Sequence, residues 1–131
     1  MSVLNLVLKI DNVLSYSICD ELINLFEESD HTERVDSGGY PNWTNLFICD
    51  YYPKEEKKLQ EIYVEVARKY QEWVGEYGLY FNTQNFDFEG SNIKKYVGGS
   101  SDVYKRHADV SSLDPSDRFL AMLFYLNDEF E

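Results

Sequence analysis

Between Pro53 and Gly78 the apolar residues fall at Leu59, Ile62, Tyr63, Val66, Tyr70 and Trp73. That three-to-four spacing predicts one long amphipathic helix, which must lay its apolar stripe on some other element. Pro53 suits the first helical position, where its missing N–H would be unpaired in any case. Gly75 to Gly78 supply the stop. A shorter helix precedes it. In "SICDELINLFEES" the apolar side chains recur at Ile18, Leu22, Leu25 and Phe26, Ser15 or Ser17 can cap the start, and the pattern runs to about Glu28.

The remaining segments read differently. Residues 3–10 predict a strand that leaves into a turn at Asp11-Asn12, residues 29–45 an irregular loop, and "LFICDYY" (46–52) a further strand. After Gly78 the runs "LYFNTQNFDFEG", "SNIKKYVGG", "SDVYKRHADV" and "DRFLAMLFYLND" are aromatic or β-branched and are separated by turn residues. The expected class is α+β, with helices first and an antiparallel sheet after them. At 131 residues the chain suits one domain, with helical support over 1–78 and strands over 79–131. An apolar content of 44%, including 11 Tyr and 8 Phe, supplies a core and argues against disorder.

Twelve basic against twenty-four acidic residues give a formal charge of −12, which repels phosphate backbones and anionic membrane surfaces. Nucleic acid is therefore an unfavoured partner. The basic residues Lys94, Lys95, Lys105 and Arg106 lie close together in sequence, as a solvated edge or as a local patch. Cys19 and Cys49 sit in apolar stretches and read as free thiols in a reducing compartment. The N-terminal residues lack a basic region and a small-residue cleavage site, and no stretch is long and apolar enough to span a bilayer. A cytoplasmic protein without membrane contact is the expectation.

Chemistry concentrates at His107-Ala108-Asp109. In a strand, residues i and i+2 project from one face, so this imidazole and this carboxylate can converge on one metal ion. With a second imidazole from elsewhere they would form the facial triad that holds non-haem Fe(II) and leaves positions open. The spacing alone is weak in so acidic a chain. His31-Thr32-Glu33 repeats it in a polar stretch after a helix, where an exposed, non-functional histidine is expected.

The neighbourhood of His107 adds to the motif. Tyr96 to Gly99 forms Tyr-x-x-Gly, followed by Tyr104, by His107 with Asp109, by Arg118 and by Tyr125-Leu126-Asn127-Asp128. In this order the residues resemble the 2-oxoglutarate and Fe(II)-dependent dioxygenases, most closely the prolyl 4-hydroxylase-like branch. The opening "IDNVLSYSICDELINLFE" is similar to that family's first strand and helix, whereas the middle of the chain matches poorly. The resemblance implies a double-stranded β-helix, or jelly roll, that hydroxylates an unactivated C–H bond, with peptidyl proline or another peptide or small molecule as substrate. Its cofactors would be Fe(II) and 2-oxoglutarate, with ascorbate as an accessory reductant. His107 and Asp109 would be metal ligands, Tyr96 would hydrogen-bond 2-oxoglutarate, Tyr104 would line the pocket, and Arg118 would lie on the substrate side. The resemblance assigns no further catalytic side chain. Ordinary structural roles stand beside these: Tyr96 and Tyr104 as half-buried strand aromatics, Arg118 as a surface cation paired with Asp114 or Asp117. The interval from Tyr-x-x-Gly to His-x-Asp is about two residues longer than the family pattern, which a bulge or longer turn at Gly98-Gly99-Ser100-Ser101 would absorb.

The family's second histidine and its later basic residue have no counterpart here. The resemblance therefore implies that these 131 residues correspond to the N-terminal part of such a domain, truncated and inactive alone. Its unpaired strand edges would favour a homodimer. A rival reading is a non-catalytic interaction domain that keeps the fold without a full metal site. Metal dependence separates the two.

Overall fold

The computed structural model describes residues 6–36, 42–80, 87–102 and 120–128. The elements run α1 (Tyr16–Glu28), β1 (Glu33–Asp36), β2 (Asn42–Phe47), α2 (Ile48–Tyr51), α3 (Pro53–Gly75) and β3 (Asn92–Lys95). The described residues thus form a mixed α+β fold, with three helices and one three-stranded antiparallel sheet in the order β1-β2-β3.

Both long helices begin and end as their sequences predict. Ser15 caps α1, its hydroxyl accepting from the Ile18 N–H at 3.2 Å. Cys19, Leu22 and Phe26 form the buried stripe of that helix. Pro53 opens α3, and Gly78 ends the turn behind it at φ +74°, a conformation that favours glycine. The core joins Leu22 and Phe26 of α1, Leu46 of β2, Ile48 of α2 and Leu59 of α3. Ile62 and Tyr63 of α3, Ile93 of β3 and Leu126 pack around them.

Helices do not all precede strands. Residues 29–45, predicted as an irregular loop, contain β1 and most of β2. Their strand character is masked by polarity. β1 is an edge strand with only Val35 partly covered, and central β2 buries Asn42 and Asn45 where a core strand would carry apolar residues. The predicted strand over 46–52 ends at Phe47 because the chain turns there. The N–H groups of Ile48 and Cys49 both point at the Ser91 carbonyl, at 2.9 and 3.4 Å, and this fixes the short helix α2.

Other expected strands also differ. Among the described residues, positions 6–10 form no strand, and the Leu6 carbonyl accepts from the Tyr70 hydroxyl of α3 at 2.9 Å. Residues 79–80 and 87–90 are irregular, and 101–102 close a turn. The segment 120–128 joins no ladder among the described residues. It nevertheless alternates, with Phe124 stacked on Tyr63 (5.3 Å) and Leu126 against the core, while Leu123 and Tyr125 are exposed. Of the C-terminal runs, only "SNIKKYVGG" yields a strand among the described residues, β3. No described helix is long and apolar enough to cross a membrane.

Candidate functional site

Of the residues predicted to form a site, Tyr96 lies among the described residues. Tyr104, His107, Asp109 and Arg118 lie outside them. The surroundings of Tyr96 follow from the sheet register. Asn45 of β2 pairs with Lys94 of β3 and with Glu33 of β1, so these three share a face. Leu46 and Ile93 share the opposite face, which meets the core. The first face is the outer one.

Tyr96 follows β3 directly, and its ring lies 5.9 Å from Trp43, tilted by 45°. The Lys94 ammonium sits 4.5 Å from the centroid of the Trp43 ring, within cation–π range. Trp43 and Asn45 are buried on this face, whereas Lys94 is exposed and Tyr96 is 42% exposed. Asn92 donates through Nδ2 to Asn45 Oδ1 at 3.0 Å, which directs the Asn45 side chain along the β3 side of the face. Lys95 points the other way. Its ammonium reaches Glu27 of α1 at 2.5 Å and lies 5.9 Å from the Phe26 ring.

Behind Tyr96 the chain turns. Residues 98–101 are a turn with Gly99 at φ +71°, closed by the Ser100 hydroxyl donating to the Val97 carbonyl at 2.5 Å. Asp102 anchors it. One carboxylate oxygen accepts from the Val97 N–H at 2.9 Å, and the other accepts from Arg34 of β1 in an ion pair. The Arg34 hydrogen bond, followed by that from Val97, lowers the Asp102 pKa below the ordinary carboxylate value. Asn42 of β2 adds a hydrogen bond to the Ser101 carbonyl at 3.3 Å. The approach to His107 and Asp109 in the chain is therefore tied to both β1 and β2.

The other histidine has a separate setting. His31 is exposed and stacks on Tyr51 at 4.0 Å, with the rings 4° from parallel. Among the described residues no group of three or more His, Cys, Asp or Glu could hold a metal ion. Cys19 and Cys49 are free thiols, both raised in pKa, chiefly by burial. An open groove between the approach to α1 (Asn12, Val13, Ile18) and α3 (Lys58, Ile62, Val66) contains none of the predicted site residues.

Sequence reasoning missed Trp43, Asn45 and the Arg34–Asp102 pair because 29–45 read as loop. No period-two signal marks β2: Trp43, Asn45 and Phe47 share one face and Asn42, Thr44 and Leu46 the other, so each face mixes polar with apolar residues. No family model, curated protein or solved structure matches the chain.

Proposed function

We propose that the chain derives from the 2-oxoglutarate and Fe(II)-dependent dioxygenases and uses His107 and Asp109 as metal ligands. The observation that carries this reading is the ordered run Tyr96-x-x-Gly99, Tyr104, His107-x-Asp109, Arg118 and Tyr125-Leu126-Asn127-Asp128. A turn at 98–101 lies within the interval that is about two residues longer than the family pattern, where such a turn is compatible with the reading.

The donor set fits the metal in kind. A neutral imidazole and a carboxylate suit Fe(II), with the carboxylate offsetting part of its charge. Within the 131 residues these supply two donors of a three-donor set. His31, exposed and stacked on Tyr51, is assigned no part in it on this reading. A bound Fe(II) would bring together dioxygen, the oxidant, and a 2-oxo acid whose oxidative decarboxylation supplies two electrons, so that dioxygen can hydroxylate an unactivated C–H bond. The protein's own part is orientation. On this reading Tyr96, its ring against Trp43, offers a hydroxyl to a co-substrate oxygen, and Tyr104 and Arg118 take the pocket and substrate roles that the resemblance implies. The substrate class on this reading is a peptide or small molecule.

Mn(II) serves as an oxygen-insensitive probe of the site. Titration followed by electron paramagnetic resonance is expected to show one weak site on the parent chain. The affinity should rise when 2-oxoglutarate is added, and should fall at least tenfold in His107→Ala and in Asp109→Ala. His31→Ala is expected to match the parent. Binding that ignores both His107 and Asp109 would overturn the reading.

A further inference from the structure

Among the described residues the ion pairs are of two kinds. Lys9 with Asp11 and Arg68 with Glu65 and Glu72 are exposed and local in sequence, and Lys95 with Glu27 is about half exposed at both ends. Arg34 with Asp102 differs, because the Asp102 side chain is 3% exposed and its partner lies 68 positions away. Burying a carboxylate costs desolvation that its partner only partly returns, so such a pair adds little net stability and fits better a role in fixing one conformation. The surrounding hydrogen bonds agree. The second Asp102 oxygen accepts from the Val97 N–H at 2.9 Å, the Asp102 N–H donates to Ser100 Oγ at 3.1 Å, and Asn42 donates to the Ser101 carbonyl at 3.3 Å. The turn after Tyr96 is thus closed on itself at Val97 and clamped to β1 at Arg34. Arg34 is in turn held by its ladder, opposite Thr44 of β2, so the clamp rests on the sheet.

We propose that Arg34 is a positioning residue for the metal site of the preceding reading, on which this inference rests: acting through Asp102, it fixes where the chain sets out toward His107 and Asp109. Asp102 precedes His107 by five residues, a length that spans at most about 18 Å when fully extended. An anchor at Asp102 therefore bounds the volume open to the two metal donors, and release of the turn enlarges it. Donors confined before the metal arrives lose less freedom on binding it, so the clamp tightens metal binding. Neither Arg34 nor Asp102 is required to touch the metal.

Arg34→Met keeps the aliphatic stem and removes the charge, and Asp102→Asn keeps the shape of the acid. Mn(II) titration in the presence of 2-oxoglutarate, followed by electron paramagnetic resonance, reads the effect. Each variant is expected to weaken Mn(II) binding about fivefold, within the range of coupling carried through packed contacts. The double variant should weaken it no more than either alone, because both remove one interaction. Arg34→Lys returns the charge and should recover most of the affinity. Glu27→Gln breaks the other ion pair that joins residues 68 positions apart, and should bind Mn(II) as the parent does. Exchange of the Val97 amide, followed by nitrogen-15 NMR, should be faster in Arg34→Met and unchanged in Glu27→Gln. Unchanged Val97 exchange in Arg34→Met would overturn the clamp itself. Faster exchange with unaltered Mn(II) affinity, or an equal loss of affinity in Glu27→Gln, would overturn the inference and leave the dioxygenase reading standing. Mn(II) binding in the parent that ignores both His107 and Asp109 would remove that reading and this inference with it.

Discussion

The two faces of β2 are built on different terms, although one short strand supplies both. On the inner face Leu46 is fully buried among Leu22, Phe26, Ile48 and Leu59, where contact is apolar and needs no particular partner. On the outer face Trp43 and Asn45 are buried nearly as deeply, but Asn45 carries polar atoms that do. At Leu46 the inner face gains stability from apolar burial alone, whereas at Asn45 the outer face must also satisfy polar atoms. Truncating each face separates the two contributions. Leu46→Ala should lower unfolding stability by about 3 kcal/mol, as for a fully buried leucine. Asn45→Ala should lower it by about 1 kcal/mol, since it loses one hydrogen bond with Asn92 but also removes the unpaired donor. Urea unfolding of both variants measures this, and equal losses would break the comparison.

The joint behind the inner face comes next in size. Gly90 lies so close to Cys49 that an added Cβ would fall 2.6 Å from the Cys49 Cβ. The backbone has little room to give, because the next residue is held on three sides. The Ser91 N–H meets both carboxylate oxygens of Glu56 at 3.2 Å, its carbonyl accepts from Ile48 and Cys49, and its hydroxyl bonds Tyr63. Gly90→Ala should therefore destabilise by about 2 kcal/mol through overpacking. A thermal melt within measurement error of the parent would show this joint to be soft, and would remove it from the account of what stabilises the inner face.

How far the sequence exposes this arrangement depends on which physical signal each segment carries. α1 and α3 are legible because their apolar spacing, Ser15 and Pro53 all agree with one another and with the fold. β3 is legible too, as a short run between turn residues. β1 and β2 are not, since an edge strand reading Glu-Arg-Val-Asp and a central strand with two buried asparagines both carry the composition of a loop. Tyr96 is singled out in the sequence by its place in Tyr-x-x-Gly. Its neighbours Trp43 and Asn45 come from a strand some fifty residues upstream, and only pairing brings them near. The same holds for Arg34 and Asp102, which meet across 68 positions of sequence. Residues 120–128 show the converse, an apolar run whose burial alternates yet which joins no ladder among the described residues.

The smallest expected effect lies at Tyr63, where the inner side carries a polar contact of its own. The phenol is half-buried between Phe88 and Phe124, with ring distances of 5.7 and 5.3 Å, and its hydroxyl is 2.6 Å from Ser91 Oγ. Burial raises its pKa and the Glu56 carboxylate adds to the rise, while the Ser91 hydrogen bond opposes both. In the unfolded chain a tyrosine ionises near pH 10, roughly its unperturbed value. Below that pH both states are protonated and stability is unaffected by this group. As pH rises through 10 the unfolded state loses its proton first, and stability falls until the folded pKa is passed. Tyr63→Phe should cost about 1 kcal/mol at neutral pH, the worth of one buried hydrogen bond. The variant is spared the alkaline loss, so the gap between it and the parent should narrow above pH 10. Urea unfolding at pH 7, 9 and 10.5 reads this directly. A gap that stays constant across the three would mean that the phenol ionises alike in both states, and that the polar contact on the inner side is no more desolvated than one in water.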